Sequence, residues 1–80
     1  MTIEGHEYSV LMGSDVDRDG MFLELYRGSE TNGSPIAELC YSELGRTFAL
    51  TVYDRTTPTA ALDWLRMEGA RRLPSSEHTA

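Results

Sequence analysis

Lysine is missing altogether: all seven basic residues of the 80 are arginines, set against thirteen acids for a formal charge of −6. Polyanions are held by clustered Lys and Arg, so nucleic acid and anionic membrane are expected to be poor partners, and a basic protein surface a better one. Cysteine is nearly missing too. A single Cys40 excludes an internal disulfide framework and any multi-cysteine zinc site, in keeping with a reducing compartment. No apolar run approaches the roughly 18 to 20 residues that a bilayer span requires, and the opening MTIEGHEYSV has neither a basic n-region nor an apolar h-region. The expectation is a cytoplasmic chain with no membrane partner.

Catalytic groups are equally sparse. A nucleophilic thiol needs a base or a cationic neighbour to hold it as thiolate, and the two histidines, His6 and His78, stand near the two ends of the chain. There is no Ser/His/Asp set, no phosphate-cradling glycine loop and no metal-ligating histidine pair. Cys40 therefore reads as a small apolar strand residue, and the chain as a non-enzyme that needs no cofactor.

Eighty residues support one domain with one core, which buries only about 60 to 65% of the surface that the unfolded chain exposes. The domain is expected to span residues 1 to 73, with the polar, Pro-led tail PSSEHTA, residues 74 to 80, disordered. The charge is uneven. Residues 1 to 45 hold nine acids and two arginines, a balance of −7, whereas residues 46 to 80 hold four acids and five arginines, a balance of +1.

The pattern along the chain is mostly β. MFLELYR, residues 21 to 27, alternates Met21, Leu23 and Leu25 with Phe22, Glu24 and Tyr26, which is a strand period. RGSETNGSP then supplies the residues of a chain reversal. PIAELCYS places Ala37, Leu39 and Tyr41 on one face and Ile36, Glu38 and Cys40 on the other, and RTFALTVYD sets Phe48, Leu50 and Val52 against Thr47, Ala49, Thr51 and Tyr53. Tyr8, Val10 and Met12 favour a further strand at the N-terminus, paired with residues 21 to 27, with a short helix from Glu4 as the alternative.

TTPTAALDWLRMEGARRLP is the one helix. Thr57 is placed to cap it, Pro58 suits the first helical position, Arg71 and Arg72 suit the C-terminal end of the dipole, and Pro74 ends it. Ala61, Leu62, Leu65, Gly69 and Leu73 form its apolar stripe, and Gly69 implies a close approach to the sheet near Tyr41 or Phe48. The fold class is thus α+β: an antiparallel three- to four-stranded β-meander with one C-terminal α-helix packed on one face.

Two groups of residues are candidate sites. Asp15, Asp17, Asp19 and Gly20 meet positions 1, 3, 5 and 6 of a helix-loop-helix calcium loop, and these six residues resemble the DxDxDG loops of many calcium-binding folds. Position 12, which requires a bidentate carboxylate, is Tyr26, and the flank reads as strand rather than helix. A solvated turn is the preferred reading, with Asp15, Asp17 and Asp19 as metal ligands the alternative. The second group is the sheet face that one helix leaves uncovered, with Phe22, Tyr26, Ile36, Cys40 and Tyr53 around Glu24 and Glu38. Patches of this kind mark contacts with a protein partner or a second copy, unless the N-terminal segment folds over them. Aromatics on an open sheet are similar to RNA-binding platforms, and the β-β-β-α order is similar to the latter part of double-stranded RNA-binding domains. The acids on this face disfavour RNA. The sequence therefore points to a non-catalytic acidic interaction module: an accessory, inhibitor or immunity-like protein, or a homodimer joined through that face.

Overall fold

A computed structural model of the chain describes residues 1–15, 20–42 and 45–73. Five strands run in chain order, β1 (Thr2–Ile3), β2 (His6–Asp15), β3 (Gly20–Arg27), β4 (Ala37–Ser42) and β5 (Thr47–Val52), followed by α1 (Thr59–Arg72). They form one antiparallel sheet in the order β1-β2-β3-β4-β5, with α1 packed against it. The α+β meander with a single C-terminal helix is therefore the architecture of the protein, with one more strand than alternation alone implies.

That extra strand comes from a turn which the sequence signals weakly. Ile3 pairs with His6, so Glu4 and Gly5 alone make the loop, and both have positive φ, 52° and 82°. This is the two-residue hairpin geometry whose twist matches the flanking strands, usually built with Asn-Gly or Asp-Gly. Glu4 occupies the first position instead, which masks the hairpin in the sequence. The N-terminal segment consequently extends the sheet rather than starting a helix or folding across its open face.

Directly paired residues in antiparallel strands share a face. Val10 and Leu25, Met12 and Leu23, Leu23 and Leu39, Leu39 and Leu50, and Tyr41 and Phe48 are such pairs. They form the face on which α1 lies. Ala61, Leu65 and Gly69 are the buried residues of the helix, and Leu73 follows in the same four-residue progression. Together with Tyr8, Leu23, Leu25, Ala37, Leu39 and Tyr41 they make the core, with Trp64 and Leu62 packed against its side. Each fully buried leucine contributes about 1.5 to 3 kcal/mol from water exclusion.

A helix is about 10 Å across and strands lie about 4.8 Å apart, so α1 shields two strands at a time. It lies over β3 and β4. The margins of the same face stay open: Met12 on β2 is 46% exposed, and Phe48 and Val52 on β5 are 43% and 40% exposed. Phe48 and Val52 share the face on which the helix lies but sit beyond its reach, although the Phe48 ring still packs on Tyr41 at 4.9 Å between centroids. Met67 likewise points to solvent.

The helix begins differently from the sequence expectation. The Thr57 hydroxyl donates to the Asp54 carbonyl at 2.7 Å instead of capping α1, and Pro58 holds the cap position with no side-chain cap. Asp54 organises this turn: its carboxylate accepts from the Thr56 amide and hydroxyl at 2.9 and 2.6 Å and meets Arg27 at 3.2 Å. Those bonds to Thr56, with Arg27 adding to them, hold the Asp54 carboxyl below its ordinary range. Ion pairs line the outer side of α1, Asp63 with Arg66 and Glu68 with both Arg71 and Arg72.

Gly69 marks the closest approach of helix to sheet, over Leu39 rather than over Tyr41 or Phe48. A Cβ built there overlaps the Leu39 side chain. Helix propensity favours alanine over glycine by about 1 kcal/mol, but overpacking a core costs about 1 to 3 kcal/mol. Leu39 is enclosed, so the overlap dominates. Gly69→Ala is expected to destabilise by about 1 kcal/mol net in urea unfolding. Leu39→Ala alone should cost about 2 to 5 kcal/mol, and the double variant clearly less than the two combined, because the second change makes room for the first.

Tyr8 is fully buried, and its hydroxyl has no partner among the described residues. An unsatisfied buried polar group costs about 1 to 3 kcal/mol. Tyr8→Phe keeps the ring and removes the oxygen, so unfolding should shift to higher urea by an amount of that order. A lower midpoint would show that the hydroxyl is hydrogen-bonded in solution.

Candidate functional site

The face opposite α1 carries the odd-numbered residues of β2, the even-numbered residues of β3 and β4, and the odd-numbered residues of β5. At its centre Glu24 on β3 lies directly across from Glu38 on β4. Like charges directly opposed across strands are unfavourable. Each carboxylate is held by a tyrosine: the Tyr26 hydroxyl donates to Glu24 at 2.7 Å and the Tyr53 hydroxyl to Glu38 at 2.8 Å. The four side chains thus form two acid-phenol pairs side by side. No Lys or Arg occupies a described strand position on this face.

The surroundings are apolar. Leu11 pairs with Glu24 from the β2 side and is exposed. Phe22 pairs with Gly13, and its ring lies over that glycine so closely that a Cβ there would sit 2.6 Å from Cζ. Beyond Phe22 and Cys40, toward Ser42, Thr47 and Ala49, the face dips into a depression of about 190 Å³. Pockets for small molecules usually span roughly 300 to 1,000 Å³. This one is the size of a single inserted side chain.

Of the five residues expected around the glutamates on this face, Phe22, Tyr26, Cys40 and Tyr53 are on it, and they are not equally open. Tyr53 is 56% exposed and Phe22 half-buried, whereas Tyr26, paired with Ser9, is only 6% exposed. Ile36 is a correction: it is 7% exposed and belongs to the core cluster. Its amide donates to the Leu25 carbonyl, and its own carbonyl accepts from the amides of both Tyr53 and Asp54, so the ladder is irregular just where β4 begins. Strand alternation does not hold at that position, which is why counting in twos misplaces Ile36. The two tyrosine-glutamate bonds were not foreseen. Glu24 and Tyr26 are two apart on one strand, a spacing visible in the sequence, but Glu38 and Tyr53 meet only through the β4-β5 register.

The aspartates can be placed only in part. Asp15 ends β2, its backbone paired with Gly20, and Asp17 and Asp19 lie outside the described residues. The segment is bracketed by β2 and β3 rather than by two helices, and Tyr26 at loop position 12 lies in β3. Among the described residues, no three His, Cys, Asp or Glu side chains gather as a metal site. His6 is exposed at the start of β2, while Cys40 aligns through Phe22 with Gly13, seven residues further along that strand. The intervening rise of about 23 Å separates that histidine from the thiol.

The acid-phenol bonds push both tyrosines above their ordinary pKa, Tyr26 through its bond to Glu24 and Tyr53 through its bond to Glu38. A folded-state pKa above the unfolded value of about 10 gives stability that is intact below pH 10 and is lost as pH rises through the folded value. Ultraviolet titration of the folded chain should therefore show two phenols, Tyr26 and Tyr53, ionising above the ordinary range. Glu38→Gln should return Tyr53 toward the ordinary range and leave Tyr26 late, whereas two unmoved titrations would show that the bonds do not persist in solution.

Compared with known proteins, the chain matches no family model, no curated protein and no solved structure.

Proposed function

We propose that the chain is a non-catalytic protein-interaction module, an accessory, inhibitor or immunity-like protein, whose open sheet face takes a basic protein surface. The observation that carries this reading is the opposed pair Glu24 and Glu38 in the centre of an aromatic and aliphatic face. The opposition costs the free chain up to about 1 kcal/mol relative to a neutral pair. An arriving Arg or Lys turns that repulsion into attraction with both carboxylates, so the cost in the free state becomes a gain in the bound one.

The two hydroxyls keep the carboxylates oriented, so little ordering remains for binding to accomplish. Leu11, Phe22 and Tyr53 supply apolar contact around the charge, and the depression beyond Cys40 accepts one side chain of the partner. Aromatic residues with few charges at the contact core are the usual composition of such surfaces. The same acids weigh against a polyanionic ligand. Among the described residues, no helix is long and apolar enough to cross a membrane.

Selection of displayed random peptides against the folded chain tests this directly. Enriched sequences should carry Arg or Lys beside aliphatic or aromatic residues, shift the amides of Phe22, Glu24, Glu38 and Cys40, and bind more weakly as salt rises. Glu24→Gln with Glu38→Gln should lower their affinity at least about tenfold, equivalent to about 1.4 kcal/mol. Acidic or uncharged winners, or shifts confined to α1, would reject the assignment.

A further inference from the structure

β5 is an outer strand of the sheet, and its outer backbone groups are identifiable. The Tyr53 amide donates to the Ile36 carbonyl, in register with Ala37 opposite Val52. Hydrogen-bonding direction alternates along a strand. Thr47, Ala49 and Thr51 therefore turn their amides and carbonyls toward β4, and Phe48, Leu50 and Val52 turn theirs outward. From Thr47 to Val52 the strand holds no charge, no proline and no glycine. Within the strand, then, neither charge nor proline blunts this edge.

We infer that β5 is the seam of a homodimer, in which two copies pair their β5 strands antiparallel about a two-fold axis at Leu50. Such an axis stands perpendicular to the sheet and must match residues of the same face, which the outward set does. Leu50 bonds reciprocally with Leu50 of the second copy, Phe48 with Val52 and Val52 with Phe48, giving six backbone hydrogen bonds with every outward group used. Aromatic against β-branched is a favourable cross-strand pair. The half-exposed Phe48 and Val52 of both copies then join into one apolar strip between the two helices.

Charge agrees with this arrangement. A chain of net charge −6 repels its own copy over most of its surface, but the uncharged β5 imposes no such opposition, and the same register carries Arg46 toward Asp54 of the second copy at each end. The opposite margin is less suited. Its outward residues beyond β1 are Val10, Met12 and Ser14, it contains Gly13, and it ends at Asp15. A single strand pair buries less than the roughly 1,200 Å² of a standard stable interface, so the dimer is a weak one.

Sedimentation equilibrium and amide exchange test the seam without any partner, so the outcome is independent of what the open face binds. The mass should rise toward twice that of the chain as concentration approaches about 1 mM. Over the same range the amides of Phe48, Leu50 and Val52 should gain protection, while those of Ala49 and Thr51 are protected throughout and those of Val10, Met12 and Ser14 do not change. Val52→Pro removes an outward N–H and no bond of the β4 ladder, and should return the chain to monomer. Met12→Pro, the matching change on the other margin, should leave the dimer intact. A monomer at about 1 mM, a dimer whose three β5 amides still exchange freely, or a dimer broken by Met12→Pro and not by Val52→Pro would overturn the seam.

Discussion

The width of one helix governs this molecule. A sheet of four long strands is about 15 Å across from first strand to last, and α1 can seal about 10 Å of it. Gly69 brings the helix axis as near Leu39 as side chains allow, which seals the middle strands well and cannot reach the outer ones. From that single shortfall follow the half-exposed Met12, Phe48 and Val52, the last two on the outer strand β5. Each surface available for contact is where the one helix stops.

On the reverse face the balance of forces differs from that of a core. Glu24 and Glu38 are opposed at the shortest lateral distance a sheet offers, yet neither turns to a cation among the described residues; each accepts from a phenol instead. A hydroxyl donor lowers the cost of holding a carboxylate beside aromatic rings without neutralising it, so the negative potential remains available. Arg27, the arginine nearest in sequence, is committed on the helix side to Asp54, where it ties the end of β3 to the loop that leads into α1. The ion-paired arginines Arg27, Arg66, Arg71 and Arg72 serve the turn and the outer side of α1, and Glu24 and Glu38 are left without a cation among the described residues.

How much of this could be read from residues alone depended on whether a local rule or a register decided it. Alternation located β3, β4 and β5 and the odd-even division of their faces because each strand has one buried side, and a wrong period would have exposed Leu23, Leu25 and Leu39 together. Gly69 announced a close approach because a mid-helix glycine has a local cost that packing must offset. The same logic failed where the backbone departs from ideal geometry. Ile36 enters the core through an irregular ladder, Glu4 adopts a positive φ that Asn or Gly usually occupies, and the Thr57 hydroxyl prefers a carbonyl three residues back to the helix end. The acid-phenol pairs were half legible, since one is an i to i+2 spacing and the other depends on the β4-β5 register, which brings Tyr53, just past the end of β5, to Glu38.

The β5 seam and the acidic face bear on one another through distance. In the two-fold register, Glu38 of each copy lies one strand in from the seam, so three strand spacings and an offset of two residues separate the two Glu38 residues, about 16 Å in all. Both face the same side, because the axis is perpendicular to the sheet. A basic segment with cationic side chains at that spacing engages two pairs at once, and the second contact is then intramolecular and strengthened by effective concentration rather than by new chemistry. A weak dimer is compatible with this, since the bivalent partner itself holds the two copies together. On the proposed dimer and the proposed acidic contact, weak self-pairing along β5 and modest attraction at each acid pair would reinforce one another only for a partner that presents charge at that repeated spacing.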